Sequence, residues 1–196
     1  MKLRPNKQRD LILIFGKVGS GKTTLATKIV DKLSRKKDNK QVIIFDLNEE
    51  HVGEIATTAA DVELLLTRGV LRIIYRPLWG LDDIWGDIDK VFRIAWEYGQ
   101  VILLIDEAEI WISSRDYNIR KSSFLYCVQF GRHRLIDMVC CSRRIVELNI
   151  FVRAQATEII TFRQTEKRDL EKLEDLGFDT NAVRDLEEHK YILLTL

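Results

Sequence analysis

The sequence of 196 residues is 46% hydrophobic, which is enough apolar material for one domain with a buried core and excludes a disordered protein. With only 10 glycines and 2 prolines, collagen-like and linker-dominated chains are excluded too. Because 31 basic side chains are balanced by 30 acidic ones, no overall positive field attracts nucleic acid or an anionic membrane. Any such partner must therefore be met by a local patch.

Short apolar runs alternate with helical patterns along the chain, which is typical of a parallel sheet whose strands are buried on both faces. The predicted strands cover residues 11–15, 42–46, 71–75, 101–106, 138–141, 158–162 and 191–194. The predicted helices cover residues 21–33, 84–98, 122–130 and 170–176, with a further turn or two in 181–188. Three of these helices are expected to end at glycines, namely Gly99, Gly131 and Gly177. No repeat or linker divides the sequence, so we expect a single α/β domain over residues 1–196.

A glycine-rich loop follows the first predicted strand and opens the first predicted helix. It satisfies G-x-x-x-x-G-K-[ST] and reads Gly16-Lys17-Val18-Gly19-Ser20-Gly21-Lys22-Thr23, with Thr24 next. Glycines let backbone N–H groups wrap a β-phosphate, the helix N-terminus adds positive potential, and Lys22 supplies a cation. Thr23 is placed to hold Mg²⁺ through its hydroxyl. The sequence therefore predicts an ATP site in a P-loop NTPase, a three-layer sandwich around a mainly parallel central sheet.

The second predicted strand ends in Asp46, and Asn48 and Glu49 follow it. These side chains are expected on the same side of the sheet as the glycine-rich loop, because ligands gather outside the carboxyl ends of parallel strands. Glu49 is a candidate for positioning a water molecule. A hydrogen-bonded turn made by Asp46 and Asn48 is an equally good interpretation.

The strand predicted over 101–106 ends in two carboxylates, Asp106 and Glu107, which is the pattern of a Walker B element. Asp106 is expected to orient Mg²⁺ through its water shell, and Glu107 to polarise the water that attacks the γ-phosphate. A small-molecule kinase has less need of Glu107, because its nucleophile is the acceptor substrate. Glu107 therefore favours hydrolysis, with an exposed acid at a strand end as the alternative.

Two features bear on a nucleic-acid partner. The polar stretch 113–121 contains Arg115, Arg120 and Lys121, and we expect it to reach into a ring pore and touch phosphates without reading sequence. The four tryptophans are spread along the chain rather than clustered, which favours packing over base stacking. They are Trp79, Trp85, Trp96 and Trp111.

Basic side chains flank the predicted strand 138–141. They are Arg132, His133 and Arg134 before it and Arg143 and Arg144 after it. In a ring-shaped ATPase such arginines reach a neighbour's γ-phosphate in trans or respond to the nucleotide state. A surface cluster paired with nearby acids is the alternative.

The three cysteines are Cys127, Cys140 and Cys141, an odd number without a C-x-x-C pair, so we expect reduced intracellular thiols. Cys140 and Cys141 are neighbours in a predicted strand and point to opposite faces, which disfavours a shared zinc site. The apolar run 11–15 is too short for a signal peptide or a membrane span. A cytoplasmic protein without a membrane segment is expected.

The order of these motifs resembles the HerA/FtsK superfamily of P-loop ATPases across most of the chain. The resemblance rests on the glycine-rich loop, the strand ends at Asp46 and Tyr75-Arg76-Pro77, the Asp106-Glu107 pair, and the segment Gly131-Arg132-His133-Arg134 before a strand. Within the superfamily, the compact sequence is most similar to the genome-packaging ATPases of tailless, membrane-containing viruses. The resemblance implies a homo-oligomer, a hexameric ring that pumps double-stranded DNA with ATP and Mg²⁺, with a capsid or portal protein as a possible partner. A viral member would lie in the host cytoplasm or with the virion.

The resemblance also implies roles for individual residues. Lys22, Thr23, Asp106 and Glu107 match the nucleotide site of the superfamily, and Arg132 or Arg134 falls in its arginine-bearing segment. Members often carry a glutamine sensor in a Thr-Gln-Arg-Pro-like run, whereas this sequence reads Ser142-Arg143-Arg144-Ile145. Arg143 therefore replaces the amide, and an arginine can still contact a γ-phosphate.

Three other functions remain open from the sequence. The first is an assembly or secretion ATPase with a protein cargo, whose relatives usually carry a membrane segment. The second is a small-molecule kinase, which would work as a monomer without an arginine from a neighbour. The third is a nucleotide-dependent switch without turnover, which Glu107 disfavours.

Overall fold

A computed structural model describes residues 9–78, 80, 82–111 and 122–196. The stretch 113–121 and Trp79, both discussed above, lie outside these residues. The strands are β1 Leu11–Phe15, β2 Val42–Phe45, β3 Glu54–Ala56, β4 Arg72–Tyr75, β5 Ile102–Ile105, β6 Asp137–Ser142, β7 Glu158–Phe162 and β8 Tyr191–Thr195. The helices are α1 Lys22–Lys36, α2 Ala59–Thr67, α3 Ile84–Tyr98, α4 Ala108–Trp111, α5 Ser123–Phe130, α6 Ile150–Arg153, α7 Lys167–Asp175 and α8 Thr180–Arg184, and a 3₁₀ turn spans Gly131–Arg134.

The strands form one sheet in the order β3-β4-β2-β5-β6-β1-β7-β8. Neighbouring strands are parallel except for β7 and β8, which are antiparallel. The predicted mainly parallel sheet is thus confirmed, and all the predicted strands are present within a residue or two of their expected bounds. Because β6 lies between β1 and β5, the loops that follow these three strands are neighbours at one edge of the sheet.

Helices cover both faces of the sheet, which gives the expected three layers. On one face, Ala26, Val30 and Leu33 of α1 pack on alternate residues of the strands, such as Ile14 and Leu104. The buried side chains of α2, α3, α5 and α7 pack on the opposite face. Cys140 and Cys141 are buried on opposite faces, as the strand alternation requires.

Four of the described strands and α-helices were not predicted, namely β3, α2 and the single-turn helices α4 and α6. β3 is a three-residue edge strand with two exposed residues, so it lacks the buried apolar run that marked the other strands. α2 begins with a capping box, in which the Thr58 hydroxyl accepts from the Asp61 N–H at 3.2 Å and the Asp61 carboxylate accepts from the Thr58 N–H at 3.0 Å. A Thr-x-x-Asp pattern before an apolar run is a helix-start signal, and it was available in the sequence.

The predicted end of α5 at Gly131 is confirmed, although Gly131 does not adopt the left-handed conformation typical of a glycine at a helix end. Gly131 has right-handed angles, φ −53° and ψ −26°, and continues into the 3₁₀ turn. The left-handed residue that ends this segment is Leu135, with φ 56°. In contrast, Gly99 and Gly177 follow their helices with positive φ, as predicted.

None of the helices in the described ranges combines the length and the apolar character needed to cross a membrane.

Candidate active site

The loop between β1 and α1 has a backbone that requires its glycines. Gly19 and Gly21 have φ values of 77° and 99°. A Cβ on Gly16 would lie 2.5 Å from the Ser20 Oγ and 2.9 Å from the Phe162 Cβ, so only glycine fits there. Gly21 makes no side-chain hydrogen bond to cap α1, so the first N–H groups of this 15-residue helix are left without a side-chain partner at the loop. This arrangement suits a phosphate.

Lys22 is the first residue of α1 and is 8% exposed. Its Nζ donates to the Lys17 carbonyl at 3.0 Å, so the ammonium lies within the loop it is expected to serve. The loop is also held from outside, since Lys17 Nζ donates to Thr165 Oγ1 at 2.8 Å and the His189 ring contacts the Ser20 carbonyl at 3.1 Å. Lys17, Val18, Gly19 and Thr24 are exposed at the mouth of the site.

Thr23 and Asp106 come together although they are far apart in the sequence. The Thr23 hydroxyl donates to Asp106 Oδ2 at 3.0 Å, because β1 and β5 end at the same edge of the sheet. Burial of Asp106 favours its neutral form, but hydrogen bonds from His51 and Thr23 outweigh that effect and lower the pKa of Asp106. A hydroxyl and an ionised carboxylate so placed are the oxygen ligands that Mg²⁺ prefers, so these residues fit the predicted ion.

His51 belongs to this site, and the sequence analysis missed it. Its buried ring lies in the loop after β2, with Nε2 3.4 Å from Asp106 Oδ2 and Nδ1 3.4 Å from the Thr27 hydroxyl. Its backbone N–H donates to the buried Asp46 carboxylate at 3.2 Å. The available signal was weak: a histidine shortly after a strand that ends at the ligand edge.

The structure favours the turn interpretation of the residues after β2. Asp46 accepts hydrogen bonds from the backbone N–H groups of Glu50 and His51 and from the Arg76 guanidinium. The Glu49 side chain is 77% exposed, and its nearest ionic partner is Arg76 at 3.9 Å. Asp46 therefore builds the loop that presents His51.

Glu107 follows Asp106 with a left-handed backbone, φ 50°, which is unfavourable for a residue with a Cβ. Its N–H donates to Asp106 Oδ1 at 3.0 Å. Its side chain is mostly buried, and Oε1 accepts a hydrogen bond from Arg143 Nη2 at 2.6 Å. The carboxylate raises the pKa of the Arg143 guanidinium above its ordinary value. The candidate base is thus held in an ion pair.

Arg143 lies directly after β6, between the ends of β1 and β5. Its N–H donates to Glu109 Oε1 at 3.3 Å, and its carbonyl accepts from Gln164 Nε2 at 3.2 Å. Arg144, the next residue, turns away and donates to the buried Asp169 at 2.8 Å. Of the two arginines that follow β6, Arg143 is therefore the one that lies beside Glu107 at the predicted nucleotide site.

Arg132 and Arg134 lie elsewhere in the chain. They precede β6, so they are at the amino ends of the parallel strands, opposite the glycine-rich loop. Arg134 Nε donates to the Trp96 carbonyl at 2.9 Å, its Nη2 donates to the Glu97 carbonyl, and its guanidinium lies 5.9 Å from the Trp96 ring centre. Arg132 is exposed, and its Nε donates to the His133 ring at 3.3 Å. The Arg134 side chain is thus bound to the end of α3, whereas the exposed Arg132 side chain is not.

Comparisons with known proteins bear on the family and the fold of this chain. Residues 2–78 match the family model described as "Helicase HerA, central domain". CD-NTase-associated protein 6 of Escherichia coli (strain MS 115-1) is 25% identical over an alignment of 210 positions, which takes in 92% of this chain. This chain spans 58% of the length of that curated relative.

Two solved structures show the same fold. The genome packaging NTPase B204 from Sulfolobus turreted icosahedral virus 2, in complex with ATP-gammaS, has a TM-score of 0.77 at 20% identity, covering 95% of this chain and 92% of that one. VirB4 of Thermoanaerobacter pseudethanolicus has a TM-score of 0.67 at 11% identity, covering 100% of this chain and 91% of that one. The P-loop NTPase fold predicted from the sequence is confirmed.

Proposed function

We propose that this HerA/FtsK-like P-loop ATPase couples ATP hydrolysis to the movement of double-stranded DNA, as the packaging motor of a viral genome. The observation that carries the proposal is the 3.0 Å contact between Thr23 and Asp106. Lys22 directly precedes Thr23 in the chain, and Glu107 directly follows Asp106. A hexameric ring of this chain, docked on a capsid or portal protein, is part of the same proposal. The family match and the packaging NTPase among the similar folds support it.

Each residue of the site has a defined task in hydrolysis. Lys22 and the loop N–H groups bind the β- and γ-phosphates and balance their charge. Thr23 and Asp106 would hold Mg²⁺, which supplies further neutralisation of the phosphate oxygens. Glu107 accepts a proton from water while the water oxygen bonds to the γ-phosphorus and the bond to the β,γ-bridging oxygen breaks. The products are ADP and inorganic phosphate.

His51 is expected to position Asp106 for the metal. Replacing His51 with Gln should raise the Mg²⁺ concentration for half-maximal hydrolysis by about tenfold, because residues that orient a ligand typically control metal affinity on this scale. The rate at saturating Mg²⁺ should change much less. Thermal unfolding without nucleotide or Mg²⁺ serves as the control, because a loss of packing alone would lower stability without changing the Mg²⁺ dependence of hydrolysis. An unchanged Mg²⁺ titration would show that His51 has only a packing role.

Arg132 is the better candidate for an arginine that acts on a neighbouring subunit. Lys22→Ala and Arg132→Ala should each be inactive, while an equal mixture should recover about a quarter of the wild-type rate, since a quarter of the interfaces in a cyclic ring then combine two intact halves. Arg134→Ala should keep its activity, because its guanidinium serves α3 of its own chain. No recovery after subunit exchange would remove Arg132 from the mechanism.

The cargo is tested by steady-state ATP hydrolysis with and without long double-stranded DNA, using Lys22→Ala as the blank for contaminating ATPases. The proposal predicts stimulation by DNA that declines as salt is added, since contacts to phosphates release counterions. Robust hydrolysis that ignores DNA at low salt would contradict a DNA motor made of this chain alone.

A second candidate is an ATPase that acts on a protein. It is favoured by the curated relative, whose name associates it with a CD-NTase protein rather than with DNA. Hydrolysis that is indifferent to DNA would support this function. A small-molecule kinase remains less favoured, because it would leave Glu107 without a task.

A further inference from the structure

We infer that Arg143 holds the base Glu107 in an inactive ion pair and releases it when a γ-phosphate takes over the guanidinium. This inference rests on the proposed hydrolysis of ATP and adds a positioning residue to the same site. Arg143 would then make the first turnover step conditional on a triphosphate, with ADP leaving the pair intact.

The first argument is where Arg143 is anchored. The Ser142 carbonyl accepts a hydrogen bond from the Gly16 N–H at 3.2 Å. Arg143 therefore follows a residue that is hydrogen-bonded directly to the start of the phosphate loop. The hydrogen bonds from Arg143 to Glu109 and from Gln164 to Arg143 hold the same backbone from the other side. The guanidinium is therefore tethered beside both the loop and Glu107.

The second argument is the contrast between a fixed backbone and a movable side chain. The Arg143 side chain is 48% exposed, whereas that of Glu107 is 14% exposed. An exposed arginine can change rotamer at little cost, while the buried carboxylate stays where the Glu107 backbone places it. The partner that moves when the pair breaks is thus Arg143.

The third argument is the competition between two anions. A guanidinium binds carboxylate and phosphate with the same fork of N–H groups, and a terminal phosphate offers more oxygens and more charge than one carboxylate. A partly exposed ion pair is worth little, so an incoming γ-phosphate displaces the carboxylate readily. Once unpaired, Glu107 can accept a hydrogen bond from water instead of from Arg143.

The backbone of Glu107 supports the same conclusion. Its left-handed φ of 50° is held by the hydrogen bond from its N–H to Asp106. Backbone conformations of this kind cost energy and persist where the surroundings require them. Because this hydrogen bond does not involve Arg143, it keeps the Glu107 backbone next to Asp106 whether or not the ion pair is formed.

The experiment is a double-mutant cycle on nucleotide selectivity. Binding of ADP and of AMPPCP, which is not hydrolysed, is measured with Mg²⁺ for the wild type, Glu107→Gln, Arg143→Gln and the double variant. Selectivity is the ratio of the ADP and AMPPCP dissociation constants. Glu107→Gln also removes a negative charge near the γ-phosphate and so reduces repulsion of the triphosphate. In the Arg143→Gln background the ion pair is absent, so this loss of repulsion is the only effect that Glu107→Gln can have there.

We expect Glu107→Gln to raise the selectivity for the triphosphate in both backgrounds. The increase should be about three- to fivefold larger with Arg143 present than in the Arg143→Gln background, which corresponds to the strength of a partly exposed ion pair. Arg144→Gln is the matched control, because the neighbouring arginine pairs with Asp169. Its selectivity should equal that of the wild type. Equal effects of Glu107→Gln in both backgrounds would overturn the inference, as would a selectivity change in Arg144→Gln that matches the one in Arg143→Gln.

The cycle is measured at binding equilibrium, so it does not depend on turnover or on DNA. Failure of DNA to stimulate hydrolysis would end the translocase proposal and leave the cycle intact. An additive cycle in a protein that hydrolyses ATP would end the inference about Arg143 and leave the ATPase intact.

Discussion

Glu107→Gln is expected to lower kcat for ATP hydrolysis by about 100-fold or more without weakening nucleotide binding. An amide of the same shape cannot take a proton from water, and a positioned general base typically contributes a factor of this size. The proposed phosphate ligands are Lys22 and the loop N–H groups, which the substitution leaves in place. Single-turnover hydrolysis and AMPPCP binding separate the two effects.

Glu109→Gln is the matched control for this prediction. Glu109 lies two residues further on, and its carboxylate also meets Arg143, through the backbone N–H at 3.3 Å and the guanidinium Nε at 3.7 Å. Glutamine at this position keeps an oxygen that can accept from the Arg143 N–H, and the residue does not follow Asp106 directly, so Glu109→Gln should change kcat only slightly. A Glu107→Gln protein that hydrolyses ATP within tenfold of the wild type would show that another group is the base.

The parts of the site that lie in one continuous segment were predictable. The glycine-rich loop was predictable from a local motif, because the strand, the glycines, the lysine and the start of the helix follow one another in the chain. Asp106 was predictable from the apolar strand before it. The position of Arg132 at the opposite edge follows from the parallel sheet, since a residue before a strand lies at its amino end.

Long-range contacts were harder to predict. The ion pair of Arg143 with Glu107 depends on β6 lying beside β5, which no local pattern reveals. His51 reaches Asp106 only because Asp46 folds the loop after β2 back over α1. The same reason applies to Arg134, whose task at the end of α3 depends on two segments that meet only in the folded chain.

Lys22→Ala is expected to reduce hydrolysis by about 100-fold or more and to weaken ATP binding, because removing a preorganised charge from a transferring phosphate typically costs this much. Stability should change little, since the ammonium makes its hydrogen bond within the loop, to the Lys17 carbonyl. Thermal unfolding without nucleotide checks that point, and nucleotide titration checks the binding.

Lys17→Ala provides the matched variant, because it removes a second lysine from the same loop. The Lys17 ammonium donates to Thr165 at the surface, so its loss should affect hydrolysis about twofold at most, in line with the small contribution of exposed polar contacts. The comparison of the two alanine variants shows whether activity depends on the position of the Lys22 ammonium or on the total positive charge of the loop. If both alanine variants lost activity equally, the loop would act through its overall positive potential, and the specific role of Lys22 on the phosphates would be contradicted.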